Sequence, residues 1–154
     1  LVADNAAAAL RRFGAFRHFS DEALSRLVRL GRMQRRSRYQ HFYHEGSRAD
    51  AIFILVSGTV LLSAGRDQKG GRELKPPAVF GLEALGALSE GQGEERLEGA
   101  MAVRPSVCVS IRSDTLHTSI AELAATLPFF HFEQPSSSSS AQRGEAGGGR
   151  AAVV

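Results

Sequence analysis

The feature that most constrains the fold of this sequence is a succession of short apolar runs separated by glycine, proline and small polar residues. The clearest run, residues 51–56, is continuously apolar and rich in β-branched and aromatic side chains, which indicates a strand buried on both faces. Gly58 follows it at a position that favours a bend or a close backbone approach, as at the corner of a barrel. The other predicted strands are residues 39–44, 59–63, 78–80, 100–103 and 107–111. Short strands without long helices between them predict an antiparallel sandwich or barrel.

Helical patterns flank the predicted strands on both sides. Ser20 offers a side-chain oxygen to cap a helix, and Asp21 and Glu22 follow at the positive end of the helix dipole. The apolar stripe of this helix consists of Ala23, Leu24, Leu27, Val28 and Gly31. A closing helix is predicted from Asp114, with apolar residues Leu116, Ile120, Leu123, Ala124 and Leu127, and Pro128 ends it. The predicted fold class is therefore mainly β with flanking helices.

Arginines are concentrated just after the first of these helices begins. The run consists of Arg26, Arg29, Arg32, Arg35, Arg36 and Arg38. Because the formal net charge of the chain is only +3, we interpret the run as the solvated face and the exit of the helix. Contact with nucleic acid or anionic lipid is the alternative.

Length and composition favour one domain with a polar tail. The chain has 154 residues, about the size of a single domain. We predict a helical lead-in over residues 1–12, a folded domain over 13–127, and an apolar cluster followed by a disordered Ser- and Gly-rich tail over 128–154. No apolar run has the length of a membrane span and no secretory pattern is present, so we expect a cytoplasmic or other intracellular setting. Leu1 in place of methionine indicates a fragment or a processed chain.

The stretch from Phe80 to Arg96 combines features that bind anions. A short helix beginning near Gly81 would present free backbone N–H groups to a phosphate. Arg96 could close the other side of such a site, because a guanidinium pairs with two phosphate oxygens and stays charged. Gly46, in the turn after the strand at 39–44, can adopt the positive φ that most residues avoid.

The order of these elements resembles the cyclic nucleotide-binding domain family, which is shared by catabolite activator-type regulators, regulatory subunits of cyclic-nucleotide-dependent kinases and gated channels. The matching features are Gly46, the run 52–58, Phe80-Gly81-x-x-Ala84-Leu85, and Arg96 followed by Ala102. The resemblance covers about residues 13–127. It implies an antiparallel β jelly roll with N-terminal helices and a C-terminal lid helix. It also implies a phosphate site at Gly81, Arg96 and Leu97.

The family pattern carries over to the ribose-binding cassette with one departure. The cassette residues are Phe80, Leu82, Glu83, Ala84 and Leu85. Leu82 stands where the family has a glutamate that accepts hydrogen bonds from the ribose 2′-hydroxyl, and leucine has no acceptor. Glu83 is the obvious substitute, although one step along a helix turns a side chain by roughly 100°. Leu97 replaces a small or hydroxylated residue, which argues against a preference for cyclic GMP.

The resemblance implies a regulatory sensor rather than an enzyme. We expect weakened binding of a cyclic nucleotide, cyclic AMP rather than cyclic GMP, no cofactor or metal, and a covalently linked effector domain such as a channel, a kinase or a second domain of the same family. Nothing after Leu127 resembles a helix-turn-helix that would bind DNA. A degenerate domain that serves as a scaffold for protein interactions without ligand is the alternative.

A cupin-like metalloenzyme is the third hypothesis. His41 and His44 lie on one predicted strand, but residues three apart in a strand point to opposite faces, so one metal ion could not collect both. His18, His117 and His131 are scattered. Cys108 is the single cysteine, so it can form no internal disulfide and is expected to pack as a small apolar side chain.

Overall fold

The computed structural model describes residues 2–65, 70–86 and 94–126. Leu1–Leu123 form one compact unit. A second unit, Ala124–Val154, is described only by the helical backbone of residues 124–126. The predicted apolar cluster and disordered tail lie outside the described residues, as do the hairpin tip at 66–69 and the loop at 87–93. The proposed boundaries of the domain therefore stay a prediction.

Two helices precede the sheets. Helix α1 spans Val2–Arg11, a turn of 3-10 helix spans Gly14–Phe16, and helix α2 spans Asp21–Arg29. The Ser20 side chain accepts a hydrogen bond from the N–H of Ala23 at 3.0 Å, which caps α2. The apolar face of α2 buries Leu24, Leu27 and Val28.

The described strands are short. They are β1 (Arg32–Arg36), β2 (His41–Tyr43), β3 (Arg48–Ala49), β4 (Ala51–Ser57), β5 (Val60–Ser63), β6 (Arg72–Leu74), β7 (Ala78–Phe80), β8 (Glu94–Glu95), β9 (Gly99–Ala102) and β10 (Ser106–Arg112). A 3-10 helix, Leu82–Gly86, follows β7, and helix α3, Ser113–Thr126, follows β10. None of the described helices combines the length and apolar character that crossing a bilayer would require.

The strands form two four-stranded antiparallel sheets, with β3 and β8 pairing separately. The first sheet has the order β1-β10-β4-β7 and the second has the order β2-β9-β5-β6. One core joins them, since Phe53 and Phe80 of the first sheet pack with Phe42 and Tyr43 of the second. The predicted fold class, mainly β with helices at both ends, is confirmed.

The core explains the behaviour of the single cysteine. Cys108 lies on β10 and is fully buried within this core. Burial raises the pKa of its thiol well above the ordinary value. The side chain is therefore a neutral packing element at physiological pH, as the sequence indicated.

Strand β1 corrects the interpretation of the arginine run. Residues 32–36 are not the exit of a helix but an edge strand paired antiparallel with β10, Arg32 opposite Ser110. Arg36 lies over the Phe42 ring at 5.1 Å, and its Nε donates to the carbonyl of His41 at 2.8 Å. Charged side chains suit an edge strand because they oppose pairing with other chains. The sequence pattern missed this strand because tertiary pairing, not apolar periodicity, determines it.

Strand β2 is also shorter than predicted. The sequence indicated residues 39–44, whereas the strand spans His41–Tyr43. Tyr39 has a φ of +71°, which interrupts extended backbone before the strand begins. The pairing with β9 shifts register between His41 and Tyr43, and the consecutive residues Phe42 and Tyr43 are both buried. Regular alternation of faces therefore does not hold in β2.

Candidate functional site

A cavity of about 530 Å³ opens beside the segment that follows β7. Its lining consists of Phe13, Tyr43, Leu62, Arg72, Leu74, Val79, Phe80, Gly81, Leu82, Glu83, Leu97 and Glu98. The volume falls in the range of about 300–1,000 Å³ that small-molecule sites occupy. The lining is mostly apolar with a few charged groups, which is the usual composition of a ligand site.

Gly81 brings the backbone into contact with Arg96. Its φ is +77°, and a Cβ at this position would lie 2.8 Å from Nη1 of Arg96. The chain then forms the 3-10 helix Leu82–Gly86, in which the N–H of Ala84 donates to the carbonyl of Gly81 at 3.2 Å. Only glycine allows both the positive φ and this approach of the guanidinium.

Arg96 is a buried cation held by backbone carbonyls. The residue is 2% exposed. Its Nη1 donates to the carbonyl of Gly81 at 2.9 Å, and its Nη2 donates to the carbonyl of Ala51 at 2.7 Å. The guanidinium lies over the ring of Tyr43 at 4.0 Å, while Nε has no hydrogen-bond acceptor among the described residues. These contacts fix the guanidinium at one position.

The carboxylate of Glu83 lies against this cation. Oε1 of Glu83 is 3.4 Å from Nη1 of Arg96, and Oε2 accepts the backbone N–H of Leu97 at 3.0 Å. The carboxylate thus spans a guanidinium and an amide. Nearby, Glu98 forms an ion pair with Arg72 at 3.5 Å.

Tyr43 presents a neutral phenol to the cavity. Burial raises the pKa of its hydroxyl, and the negative charge of Glu83 raises it further, whereas Arg96 acts in the opposite direction. The hydroxyl is therefore protonated at physiological pH and can donate one hydrogen bond.

The family to which the chain belongs follows from its sequence. The sequence profile of the family described as "Cyclic nucleotide-binding domain" matches residues 34–122, more than half of the chain. The chain belongs to the cyclic nucleotide-binding domain family. No curated protein matches its sequence.

Known structures share the fold of this cyclic nucleotide-binding domain. A cyclic nucleotide-binding-like protein from Brucella abortus is 25% identical, with a TM-score of 0.63 over 77% of this chain and 99% of that one. The sensor domain of the transcriptional regulator DNR from Pseudomonas aeruginosa is 18% identical, with a TM-score of 0.57 over 79% of this chain and 82% of that one. The cAMP-bound PfPKA-R is 17% identical, with a TM-score of 0.64 over 80% of this chain and 43% of that one. The last two likenesses concern the fold alone.

The cyclic nucleotide-binding domain brings most of the predicted site residues together. Phe80, Gly81, Leu82, Glu83 and Leu97 line the cavity. Ala84 is fully buried and Leu85 is half-buried; both belong to the 3-10 helix and neither lines the cavity. The side chain of Leu97 is 71% exposed, so it does not fill the cavity.

Of two predicted features of the site, the short helix is present and the orientation of Arg96 differs. The helix expected near Gly81 is a five-residue 3-10 helix, Leu82–Gly86. The guanidinium of Arg96 does not face backbone N–H groups across the cavity, because it donates directly to the carbonyl of Gly81 and is absent from the cavity lining. Glu83, by contrast, lines the cavity and accepts hydrogen bonds from the Arg96 guanidinium and the Leu97 amide.

Gly46 and Gly58 were predicted to have structural roles, and both have a positive φ. Gly46 has a φ of +83°, and its N–H donates to the carbonyl of Arg96 at 2.8 Å. Gly58 has a φ of +98°, and a Cβ there would lie 2.5 Å from the carbonyl oxygen of Pro105. Gly46 thus helps to position the backbone of the buried arginine.

Sequence reasoning did not identify Tyr43 as a site residue. It lay within a predicted strand, but alternation could not assign its face because of the register shift in β2. The sequence offered one indication of a buried aromatic residue here. Phe42 and Tyr43 are adjacent, so at least one of them was expected to face the interior.

His41 and His44 do not point to opposite faces of one strand, as their spacing predicted. His44 lies beyond the end of β2, and its ring stacks on that of His41 with centroids 4.2 Å apart. The two residues therefore share one side of the molecule. Over the residues that the structure describes, no group of three or more His, Cys, Asp or Glu side chains could hold a metal ion.

The stacked pair leads to a pH-dependent prediction. Partial burial, and then the charge of His44, lower the pKa of His41 from 6.5. Because the folded state then binds fewer protons than the unfolded state, stability falls as pH decreases below 6.5. In an NMR titration of the imidazole protons, His44→Gln should raise the pKa of His41. His117→Gln is the control that should leave it unchanged. An unaltered His41 titration in His44→Gln would contradict this account.

Proposed function

We propose that this domain is a sensor module that binds a cyclic nucleotide in the cavity beside Gly81, with an affinity lower than is usual for its family. The observation that carries the proposal is the buried guanidinium of Arg96, held within hydrogen-bonding distance of the cavity-lining residues Gly81 and Glu83. A permanent cation in contact with two residues of the cavity lining favours an anionic ligand.

The family pattern suggests a role for each residue. The phosphate would be held by Arg96 and by backbone groups at Gly81 and Leu97. The ribose would lie on the cassette of Phe80, Leu82, Glu83, Ala84 and Leu85. Tyr43 also lines the cavity, and its hydroxyl could donate a hydrogen bond to the ligand. Leu82 provides no acceptor for the ribose 2′-hydroxyl, which costs about 1–3 kcal/mol, or about one to two decades in affinity.

The family pattern also suggests which base the domain prefers and how ligand binding would be transmitted to an effector. Leu97 has no side-chain hydroxyl, so we favour cyclic AMP over cyclic GMP. Ligand binding would shift α3, the helix that follows β10, and thereby control a covalently linked effector. None of the described residues that line the cavity comes from α3, so closure of that helix over a base would be a change of conformation.

Calorimetric titration with cyclic AMP and cyclic GMP tests the proposal. The native chain should bind cyclic AMP weakly. Leu82→Glu should bind it about 10–100-fold more tightly, since it restores the missing acceptor. With 2′-deoxy cyclic AMP this gain should disappear. The proposal is wrong if the native chain neither releases nor absorbs heat at millimolar cyclic nucleotide, even where Leu82→Glu does.

A specific observation favours a second function. Nη1 and Nη2 of Arg96 and the N–H of Leu97 already have protein acceptors, including the carboxylate of Glu83. A domain whose anion site is satisfied internally could serve as a scaffold for another protein without any ligand. A stable chain that shows no response to cyclic nucleotides but captures a linked or neighbouring domain would support this alternative.

A further inference from the structure

Glu83 makes contacts that an anionic ligand would be expected to make. One carboxylate oxygen is 3.4 Å from Nη1 of Arg96, and the other accepts the N–H of Leu97 at 3.0 Å. The donors are one guanidinium and one backbone amide. Such a pair binds any anion that offers two oxygens, whether a carboxylate or a phosphodiester.

The position of Glu83 places its carboxylate at the boundary between the cation and the cavity. The Arg96 side chain is 1% exposed, whereas that of Glu83 is 16% exposed. Glu83 belongs to the cavity lining and Arg96 does not. A ligand entering the cavity therefore meets the carboxylate before it meets the guanidinium.

The other charges of the cavity reinforce this barrier. Glu98 also lines the cavity, and its carboxylate is paired with Arg72 at 3.5 Å. Arg72 is thus partly neutralised. A phosphate approaching Arg96 would face the negative charge of Glu83 at close range, and like charges brought together with little water are costly.

We propose that Glu83 is an internal competitor that occupies the anion site of Arg96 and Leu97 and must leave it before a phosphate can bind. This inference rests on the proposed function. It identifies Glu83 as a second residue, besides Leu82, that lowers the affinity of the site. The native chain then binds a cyclic phosphate only when the ligand displaces its own carboxylate.

The opposite role for Glu83 makes a distinguishable prediction. If the carboxylate served the ligand as an acceptor for a ribose hydroxyl, its removal would weaken binding. If it competes with the phosphate, its removal strengthens binding. The sign of the change in affinity therefore decides between the two roles.

Calorimetric titration of cyclic AMP into Glu83→Gln, compared with Glu98→Gln, tests the proposal. Both substitutions remove one negative charge from the cavity lining, but only Glu83 contacts Arg96. Glu83→Gln should bind about tenfold or more tightly than the native chain, and Glu98→Gln should change affinity by less than about threefold. Because the amide oxygen of glutamine can still accept from Leu97, the variant should keep its fold, which thermal unfolding checks.

The outcomes separate this inference from the proposed function. If the native chain binds and Glu83→Gln binds no more tightly, the competitor role is wrong while the sensor function stands. If Glu83→Gln binds and neither the native chain nor Leu82→Glu does, the competitor role stands while the sensor function of the native chain is wrong. Failure of Glu83→Gln to bind millimolar cyclic AMP also overturns the competitor role. An equal gain in affinity in Glu98→Gln overturns it as well, because the gain would then come from the lower negative charge of the cavity and not from freeing Arg96.

Discussion

Replacing Arg96 with methionine should destabilise the domain by about 3–5 kcal/mol. The aliphatic part of the side chain would be retained, but the carbonyls of Gly81 and Ala51 would lose their buried donors. The cation over the Tyr43 ring would also be lost. Each buried acceptor left without a partner costs about 1–3 kcal/mol. Urea unfolding followed by circular dichroism measures the change.

Arg72→Met is the matched control for this substitution. Arg72 pairs with Glu98, but its side chain is 66% exposed. Exposed pairs of this kind contribute little, so the control should change the free energy of unfolding by less than about 1 kcal/mol. A loss below about 1 kcal/mol in Arg96→Met would mean that the arginine is not the structural anchor of the site. Because this variant is expected to be unstable, Arg96 is a poor choice for testing ligand binding directly.

Gly58→Ala should be destabilising by a similar amount, about 3–5 kcal/mol. The residue has a φ of +98°, and a Cβ would lie 2.2 Å from Oγ of Ser106 and 2.5 Å from the carbonyl oxygen of Pro105. The hydroxyl of Ser106 cannot easily move, because it accepts the N–H of Thr59 at 3.0 Å. Backbone would have to shift where β4 leads into β5. Thermal or urea unfolding measures the loss.

Gly46→Ala is the control that separates the cost of the positive φ from the cost of the steric clash at Gly58. Gly46 has a comparable φ of +83°, but no atom of the part of the chain that the structure describes lies within 4 Å of a Cβ at that position. Its substitution should cost only about 1 kcal/mol, the effect of the positive φ alone. The difference between the two variants then measures the collision at Gly58. Equal losses in both variants would show that the contact with Ser106 and Pro105 is unimportant.

The sequence was most informative where apolar patterning determines structure. The predicted strand at 78–80 coincides with β7, and the run at 51–56 lies within β4. Both strands are mostly buried, so their apolar composition indicates their position in the core. Strand β1 could not be found in this way, because four of its five residues are polar or charged and its position depends on pairing with β10.

The candidate site was predictable as a set of residues but not as a set of contacts. The family pattern identified Gly81 and Arg96, and the structure places them in direct hydrogen-bonding contact. Which backbone group of Gly81 meets the guanidinium depends on its φ of +77°, which sequence does not specify. The contact of Glu83 with Leu97 depends on the turn of the 3-10 helix. The sequence alone therefore could not predict that the Glu83 carboxylate lies against Arg96.

The proposed function requires that the cavity beside Gly81 receives a cyclic nucleotide. Amide chemical shifts recorded during a titration of the native chain with cyclic AMP show whether it does. We expect saturable shifts at Gly81, Glu83 and Leu97, with smaller effects at the edge strand β1. Absence of any shift at millimolar cyclic AMP, or shifts confined to the arginines of β1, would contradict the claim.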